Sequence, residues 1–195
     1  MTPRRLVVGL SGASGMPYAL DLLRTLRRVP GLEVHLVMTQ GAKRVLVEEA
    51  SETVESVEAL AHRVHRSSDL GAPIASGSFR TMGMVVVPCS ATTLAKVAHG
   101  LADNLLTRAA YVTLKERRRL VLVPREAPLP LPSLEAMLKA AQAGATILPA
   151  APGFYHKPRT IDDLLAFLTQ RILDLFGLDY ERAPRWGEGV ELELD

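Results

Sequence analysis

The hydrophobic positions of the chain fall into short, nearly uninterrupted apolar runs, separated by segments in which apolar residues recur every three or four positions. Such runs are typical of parallel strands that are buried on both faces. The predicted strands are Arg5–Leu10, Glu33–Thr39, Met82–Pro88, Leu120–Pro124 and Ala145–Pro149. The predicted helices are Pro17–Val29, Ala42–Ala50, Val54–Val64, Thr92–His99, Asn104–Lys115, Ser133–Ala143 and Ile161–Phe176. This alternation predicts an α/β, doubly wound, mostly parallel sheet with helices on both faces.

Local signals mark the last helix and one segment that fits no element. Thr160 followed three residues later by Asp163 is close to a capping box. Gly177 stands where a glycine commonly ends a helix. The polar connection Arg66–Arg80 matches neither a strand nor a helix pattern, and connections of that length are usually functional or interfacial.

The 195 residues with 48% hydrophobic content predict one α/β domain over 1–177, followed by a tail at 178–195 that we expect at a subunit interface. A net charge of +2 gives no reason to expect nucleic acid or membrane partners, and 5% aromatic residues are too few for base stacking. No apolar stretch is long enough to span a bilayer. A single cysteine cannot form a disulfide within the chain, and this favours a reducing compartment such as the cytoplasm as the location of the protein. The five histidines show no metal-ligand spacing.

The first strand breaks into a turn of small residues, at positions 11–15, before a helix begins. This is how many α/β proteins build a phosphate cradle at a helix N-terminus. A dinucleotide fingerprint would need glycine where Leu10 stands and a carboxylate where Thr39 stands. A hydroxyl at that strand end suits a smaller nucleotide such as flavin mononucleotide (FMN). The alternative is that Gly12 and Gly15 only form a tight turn.

A second turn rich in hydroxyl groups, Ser90 to Thr93, follows the third predicted strand. Ser90 is a candidate N-cap, and the same free N–H groups that it caps can also bind an anion. Cys89 beside it has no neighbouring base and is interpreted as a buried packing residue.

Charged and aromatic residues follow the last two predicted strands. Arg125 and Glu126 follow the fourth, and Tyr155 comes soon after the fifth. Because carboxyl ends of parallel strands share one edge of the sheet, a role in a site is favoured over a surface ion pair. Lys115 closes a helix end and is the member of its basic run that could turn inward.

Taken in order, these segments closely resemble the UbiX-type flavin prenyltransferases, formerly described as aromatic acid decarboxylases. The resemblance covers almost the whole chain, although Thr39 stands where serine is common. The matching segments are Ser11–Gly15, Pro88–Ser90 with Thr93, Asn104–Ala110, Leu114–Arg117, Leu122–Glu126, Leu148–His156 and Pro184–Glu188.

The resemblance implies that reduced FMN is alkylated by dimethylallyl phosphate at N5 and then closed onto C6. The prenylated FMN would pass to a UbiD-type decarboxylase. It also implies a homo-oligomer, a dodecamer in known members, with sites near subunit interfaces. Enzymes that ionise allylic diphosphates usually hold magnesium on a DDxxD element, which Asp162 to Ala166 does not match. A metal-independent reaction on a monophosphate is therefore expected.

The resemblance also assigns roles to single residues. The implied FMN contacts are Gly12, Ala13, Ser14, Thr39, Ser90, Ala91, Thr92, Thr93, Arg108 and Arg125. The implied contacts to the allylic substrate are Lys115, Tyr155, Arg171 and Trp186. The implied catalytic residues are Ser14 and Glu49, a polar pair near the flavin N5, and Glu126.

Two other functions stay open at this point. One is an FMN-dependent decarboxylase of the related flavoprotein group, whose active-site histidine and Pro-x-Met-Asn element are not evident here. The other is a non-catalytic FMN carrier, which would need the phosphate turn but not Tyr155, Glu126 and Arg171.

Overall fold

The computed structural model describes residues 4–185 and contains a six-stranded sheet in the order β3-β2-β1-β4-β5-β6. The strands are β1 (Arg4–Leu10), β2 (Leu32–Met38), β3 (Arg63–Arg66), β4 (Gly83–Cys89), β5 (Arg119–Pro124) and β6 (Thr146–Ile147). Every neighbouring pair is parallel, so each connection crosses a face of the sheet. The doubly wound α/β class is confirmed.

Helices cover both faces of this sheet. They are α1 (Met16–Leu26), α2 (Gln40–Glu49), α3 (Val54–Glu58), α4 (Ala91–Ala98), α5 (Leu105–Lys115), α6 (Leu131–Gln142) and α7 (Ile161–Leu175), with a short 3-10 helix at Pro73–Ala75. One buried apolar cluster joins the sheet to α1, α2, α3 and α7, and a second joins it to α4, α5 and α6. Within residues 4–185, none of these helices has the length and apolar character needed to cross a membrane.

The strand order reverses between two central neighbours, β1 and β4. The chain runs outward from β1 through β2 to β3, then returns to β4 and builds β5 and β6 on the other side. The crossovers on the two sides of this point lie on opposite faces, which opens a crevice at the carboxyl ends of β1 and β4. Doubly wound sheets bind their ligands in such a crevice.

Most predicted elements agree with the structure to within three residues at each end. The helix predicted at Val54–Val64 is wrong, because α3 ends at Glu58 and the chain then enters strand β3. That strand is short, polar and mostly exposed, so it lacks the apolar run of a buried strand. It pairs in parallel with β2, and His65 also stacks on the buried His35 of that strand, with ring centroids 5.2 Å apart. Burial lowers the pKa of His35 to about 4.

The predicted signals at the last helix are confirmed. Thr160 Oγ1 accepts from the Asp163 N–H at 3.2 Å, and the Asp163 carboxylate accepts from the Thr160 N–H at 2.9 Å. Gly177, at φ 60°, follows the helix in the left-handed conformation that glycine adopts without steric cost. The chain then turns back, and Leu178 and Ala183 are both buried.

Candidate active site at the carboxyl ends of the strands

A buried serine links the two strands that flank the crevice. Ser11 is fully buried, donates from Oγ to the Pro88 carbonyl at 2.9 Å, and accepts from the Ser90 N–H at 2.8 Å. The turn after β1 and the turn after β4 are thereby held side by side. The sequence placed Ser11 in the turn but gave no sign of this linking role.

Glu49, at the end of α2, reaches the first turn of α1. Its Oε2 accepts from the N–H groups of Gly15 at 2.8 Å and Met16 at 3.0 Å. Partial burial acts to raise the pKa of Glu49, but hydrogen bonds from Ser14, Gly15 and Met16 outweigh it and hold the pKa below its ordinary value. These two N–H groups of the predicted phosphate cradle are therefore occupied by a side-chain carboxylate. The pairing of Ser14 with Glu49 implied by the resemblance is present.

Arg125 connects the end of β5 to the same turn. Its Nε donates to the Ser14 carbonyl at 3.1 Å, and its charge also lowers the pKa of Glu49. Glu126, the next residue, is exposed. The structure thus brings together Ser14 from the turn after β1, Glu49 from the end of α2 and Arg125 from the end of β5.

The predicted hydroxyl groups cap helices at the same edge. Ser90 Oγ accepts from the Thr93 N–H at 3.2 Å and donates to Thr93 Oγ1 at 3.0 Å, so the predicted N-cap of α4 is confirmed. Thr39 caps α2 in the same way, with its hydroxyl accepting from the Ala42 N–H at 3.1 Å. Below this edge, burial raises the pKa of the Cys89 thiol to about 12, which fits a packing role. We call Ser11, Ser14, Glu49, Ser90, Thr93 and Arg125 the switch-point cluster.

Tyr155 and Arg171 line a second pocket, of about 280 Å³, together with Phe167, Gln170, Asp174, Pro184 and Arg185. Tyr155 lies in the loop after β6, and Arg171 lies on α7. The rings of Tyr155 and His156 both pack on Phe167, with centroids 5.7 and 5.5 Å away, and so attach the loop to the helix. We call this space the Tyr155 pocket.

Lys115 and Arg108 do not join either group within one chain. Lys115 ends α5 just before β5 begins, pairs with Glu116, and therefore lies at the amino edge of the sheet. The six residues of β5 separate that edge from Arg125 by roughly 17–20 Å. Arg108 donates to the Ala75 carbonyl at 3.3 Å and lies over the Tyr111 ring. Lys115 therefore lies away from Arg125 and Glu126 of its own chain.

Trp186 lies outside the described residues. Among residues 4–185, no group of three or more histidine, cysteine, aspartate or glutamate side chains is arranged to hold a metal ion.

Sequence reasoning missed three polar residues in apolar helix faces. Asp21 in α1, and Thr169 and Gln170 in α7, are all buried. The signal was available, because a polar residue on the buried face of an amphipathic helix needs a partner inside the fold. Thr169 donates to Asp21, while Asp21 and Gln170 both accept hydrogen bonds from Arg182 in the segment after α7.

The strand reversal, with hydroxyl caps and a fixed carboxylate at its carboxyl edge, is where doubly wound α/β proteins bind nucleotides. A family model described as Flavoprotein matches residues 1–173, and the chain belongs to that family. Within it, the chain belongs to the UbiX-type flavin prenyltransferases. The flavin prenyltransferase UbiX of Deinococcus radiodurans is 59% identical over 186 residues, which cover 95% of each chain. That of Escherichia coli K12 is 49% identical over 175 residues, 90% of this chain and 93% of the relative.

Solved structures agree with this membership. AnUbiX (PadA1) in complex with FMN and dimethylallyl pyrophosphate has a TM-score of 0.93 and 46% identity, covering 97% of this chain and all of that one. A dodecameric FMN-dependent UbiX-like decarboxylase from E. coli O157:H7 has a TM-score of 0.91 and 47% identity, covering 93% of this chain and 98% of that one. The peptidyl-cysteine decarboxylase EpiD, at 14% identity and a TM-score of 0.64, shares the fold alone.

Proposed function

We propose that this flavin prenyltransferase transfers the dimethylallyl group of dimethylallyl phosphate to reduced FMN, and that prenylated FMN then passes to a UbiD-type decarboxylase. The observation that carries the assignment of roles is the ionised Glu49, held beside Ser14 and Arg125 at the strand reversal. The cytoplasm is the proposed location, since the single cysteine, which is free and buried, suits a reducing compartment.

The switch-point cluster suits FMN. Gly12 and Ser14 are exposed at the edge of the crevice, and a Cβ on Gly12 would lie 3.0 Å from the Gly41 backbone, so the turn admits no larger residue. The backbone at Gly12 to Ser14 and Ser90 to Thr93, with Thr39 and Arg125, would hold the flavin nucleotide. Reduced FMN supplies the nucleophilic ring nitrogen N5 and the ring carbon C6.

The chain's own residues act on the leaving group and on protons. Fixed cations stabilise the charge that develops on phosphate as the allylic C–O bond breaks, which is the role we give to Arg171. Tyr155 contributes a hydroxyl to the phosphate and a ring face that attracts the electron-poor allyl group. Glu126, exposed beside Arg125, is the proposed proton carrier. Glu49 fixes the Ser14 hydroxyl at the flavin.

Assembly completes the site in this proposal. A second copy of the chain brings Lys115 to the allylic substrate and Arg108 to FMN, since within its own chain Lys115 pairs with Glu116 and Arg108 donates to the Ala75 carbonyl. The dodecameric relative supports an oligomer of this kind.

The test is to incubate the purified protein anaerobically with reduced FMN and dimethylallyl phosphate and to take a mass spectrum of the flavin. We expect the flavin to gain one C5H8 unit, with and without EDTA. A flavin that is bound but unchanged would favour the carrier function. Release of carbon dioxide from an added peptidyl cysteine or small acid would favour the decarboxylase. Loss of turnover in EDTA with recovery in magnesium would contradict the metal-independent reaction.

A further inference from the structure

The segment after α7 is fastened to the body of the domain by a buried ion pair. Arg182 Nη2 lies 2.7 Å from Asp21 Oδ1 on α1 and 2.8 Å from Asp162 Oδ1 at the start of α7. Asp21 is only 8% exposed and also accepts from Thr169 Oγ1 at 2.5 Å. Separating Arg182 from Asp21 would leave a buried carboxylate without its cation, so the position of this segment is strongly determined.

Gln170 links the segment after α7 to the Tyr155 pocket through hydrogen bonds. Its side chain is buried, and its Oε1 accepts from the N–H groups of Arg182 at 2.6 Å and Ala183 at 3.2 Å. Its Nε2 donates to Asp174 Oδ1 at 2.9 Å. One amide therefore joins the returning segment to the carboxylate that lines the pocket.

Asp174 in turn holds two guanidinium groups. Arg185 Nη2 lies 2.9 Å from Asp174 Oδ1, and Arg171 Nη1 lies 3.5 Å from Asp174 Oδ2. Partial burial acts to raise the pKa of Asp174, but Arg185 and Gln170 outweigh it and hold the pKa below its ordinary value. The shared Asp174 carboxylate offsets the mutual repulsion of the two guanidinium groups, so that two positive charges lie together at this pocket.

We propose that Arg185 is a second phosphate-binding residue of the Tyr155 pocket and that Arg182 is the positioning residue that places it. The ligand class is a phosphate monoester dianion, which two guanidinium forks and the Tyr155 hydroxyl recognise together. The inference rests on the proposed function, because it assigns the substrate phosphate to this pocket. It adds the C-terminal segment to the binding site.

The primary test varies dimethylallyl phosphate at saturating reduced FMN, using the full-length protein. Arg185→Gln should raise KM for dimethylallyl phosphate at least about tenfold, the scale of one lost charge-assisted contact, while FMN affinity stays unchanged. Arg185→Lys should recover part of the loss. Glu181→Gln, an exposed neighbour in the same segment, is the matched control and should behave like the parent. A KM within about twofold of the parent in Arg185→Gln would overturn the proposal.

The positioning role is tested by combining variants. Arg182→Gln should raise the same KM, and Arg182→Gln with Arg185→Gln should be no worse than Arg185→Gln alone, because the first acts through the second. Arg182→Gln leaves the buried Asp21 carboxylate without its cation. Asp21→Asn is therefore measured as well, because asparagine removes this negative charge but keeps the shape of the side chain and its contact with Thr169. Effects that multiply in the double variant would overturn the positioning role.

A binding measurement separates this inference from the proposed function. Calorimetric titration with inorganic phosphate should show binding to the parent and much weaker binding to Arg185→Gln. If the parent binds phosphate through Arg185 but makes no prenylated flavin, the proposed function fails and the pocket assignment stands. If the parent makes prenylated flavin and Arg185→Gln binds phosphate equally well, the pocket assignment fails alone.

Discussion

Replacing Glu49 by glutamine tests the arrangement at the start of α1 most directly. Glutamine keeps the length of the side chain and an oxygen that can accept from Gly15 and Met16, but it removes the negative charge. Two charge-assisted hydrogen bonds become neutral ones, and the positive end of the α1 dipole loses its anion.

The expected loss follows from those contacts. A hydrogen bond to a charged group contributes roughly 1.5–3 kcal/mol and a neutral one about 1 kcal/mol, while an anion at a helix N-terminus adds roughly 0.3–1 kcal/mol. Because the Glu49 side chain is exposed, solvent screening favours the lower ends of these ranges. We expect Glu49→Gln to lower the free energy of unfolding by about 1–2 kcal/mol, or Tm by roughly 3–6 °C.

The assay is thermal and urea unfolding, with Glu48→Gln as the control. Glu48 is the preceding residue and forms a surface ion pair with Arg44, at 3.2 Å, so losing the Glu48 charge should cost no more than about 0.5 kcal/mol.

The stabilisation by Glu49 also depends on pH. Because the pKa of Glu49 is lower in the folded chain than in the unfolded chain, this stabilisation is present above the unfolded pKa and is lost as pH falls through the folded pKa. The gap between parent and Glu49→Gln should therefore be constant from about pH 8 to 6 and narrow below about pH 4.5.

Two results would refute this reasoning. One is a Glu49→Gln variant that unfolds together with Glu48→Gln at neutral pH. The other is a gap that does not narrow in acid, since protonation gives the parent the same neutral side chain that the variant always carries. Either would mean that the carboxylate does not hold the first turn of α1 in solution.

Three further outcomes are expected. Glu126→Gln should still bind FMN and allylic phosphate but slow single-turnover prenyl transfer on flavin-loaded protein by roughly 10²-fold, the scale of a lost proton carrier. Arg125→Ala should instead weaken FMN binding first. A parental rate in Glu126→Gln would contradict the proton-carrier role of Glu126. Gly12→Val should abolish FMN binding by absorbance with little change in circular dichroism, because its side chain meets the Gly41 backbone; equal flavin occupancy would argue against it. The pKa of His35 is about 4 in the folded chain and about 6.5 in the unfolded chain, so the free energy of unfolding should fall by up to ~3 kcal/mol as pH drops from 6.5 to 4. The measurement is the urea midpoint of the parent and of His35→Gln at each pH. If both midpoints change with pH to the same extent, His35 does not cause the loss of stability.

The sequence by itself determined the class of the fold and the edge of the sheet on which the site lies. Buried parallel strands need continuous apolar runs, and helix ends need caps, so β1, β4 and the Thr160 cap were readable from local patterns. Strand β3 was not readable, because an exposed edge strand carries no apolar run. The cap at Ser90 was predicted from its local sequence, whereas the cap that Thr39 provides for α2 was not.

Only the tertiary structure decided which of those residues meet. Glu49 reaches a turn 33 residues earlier in the chain, Arg125 one 111 residues earlier, and Arg182 an aspartate 161 residues earlier. Contacts at such separations depend on strand order and on which helices share a face, and neither leaves a periodic trace in the sequence. Lys115 shows the consequence: its basic run marks a helix end, but only the direction of α5 against the sheet places it at the edge opposite Arg125.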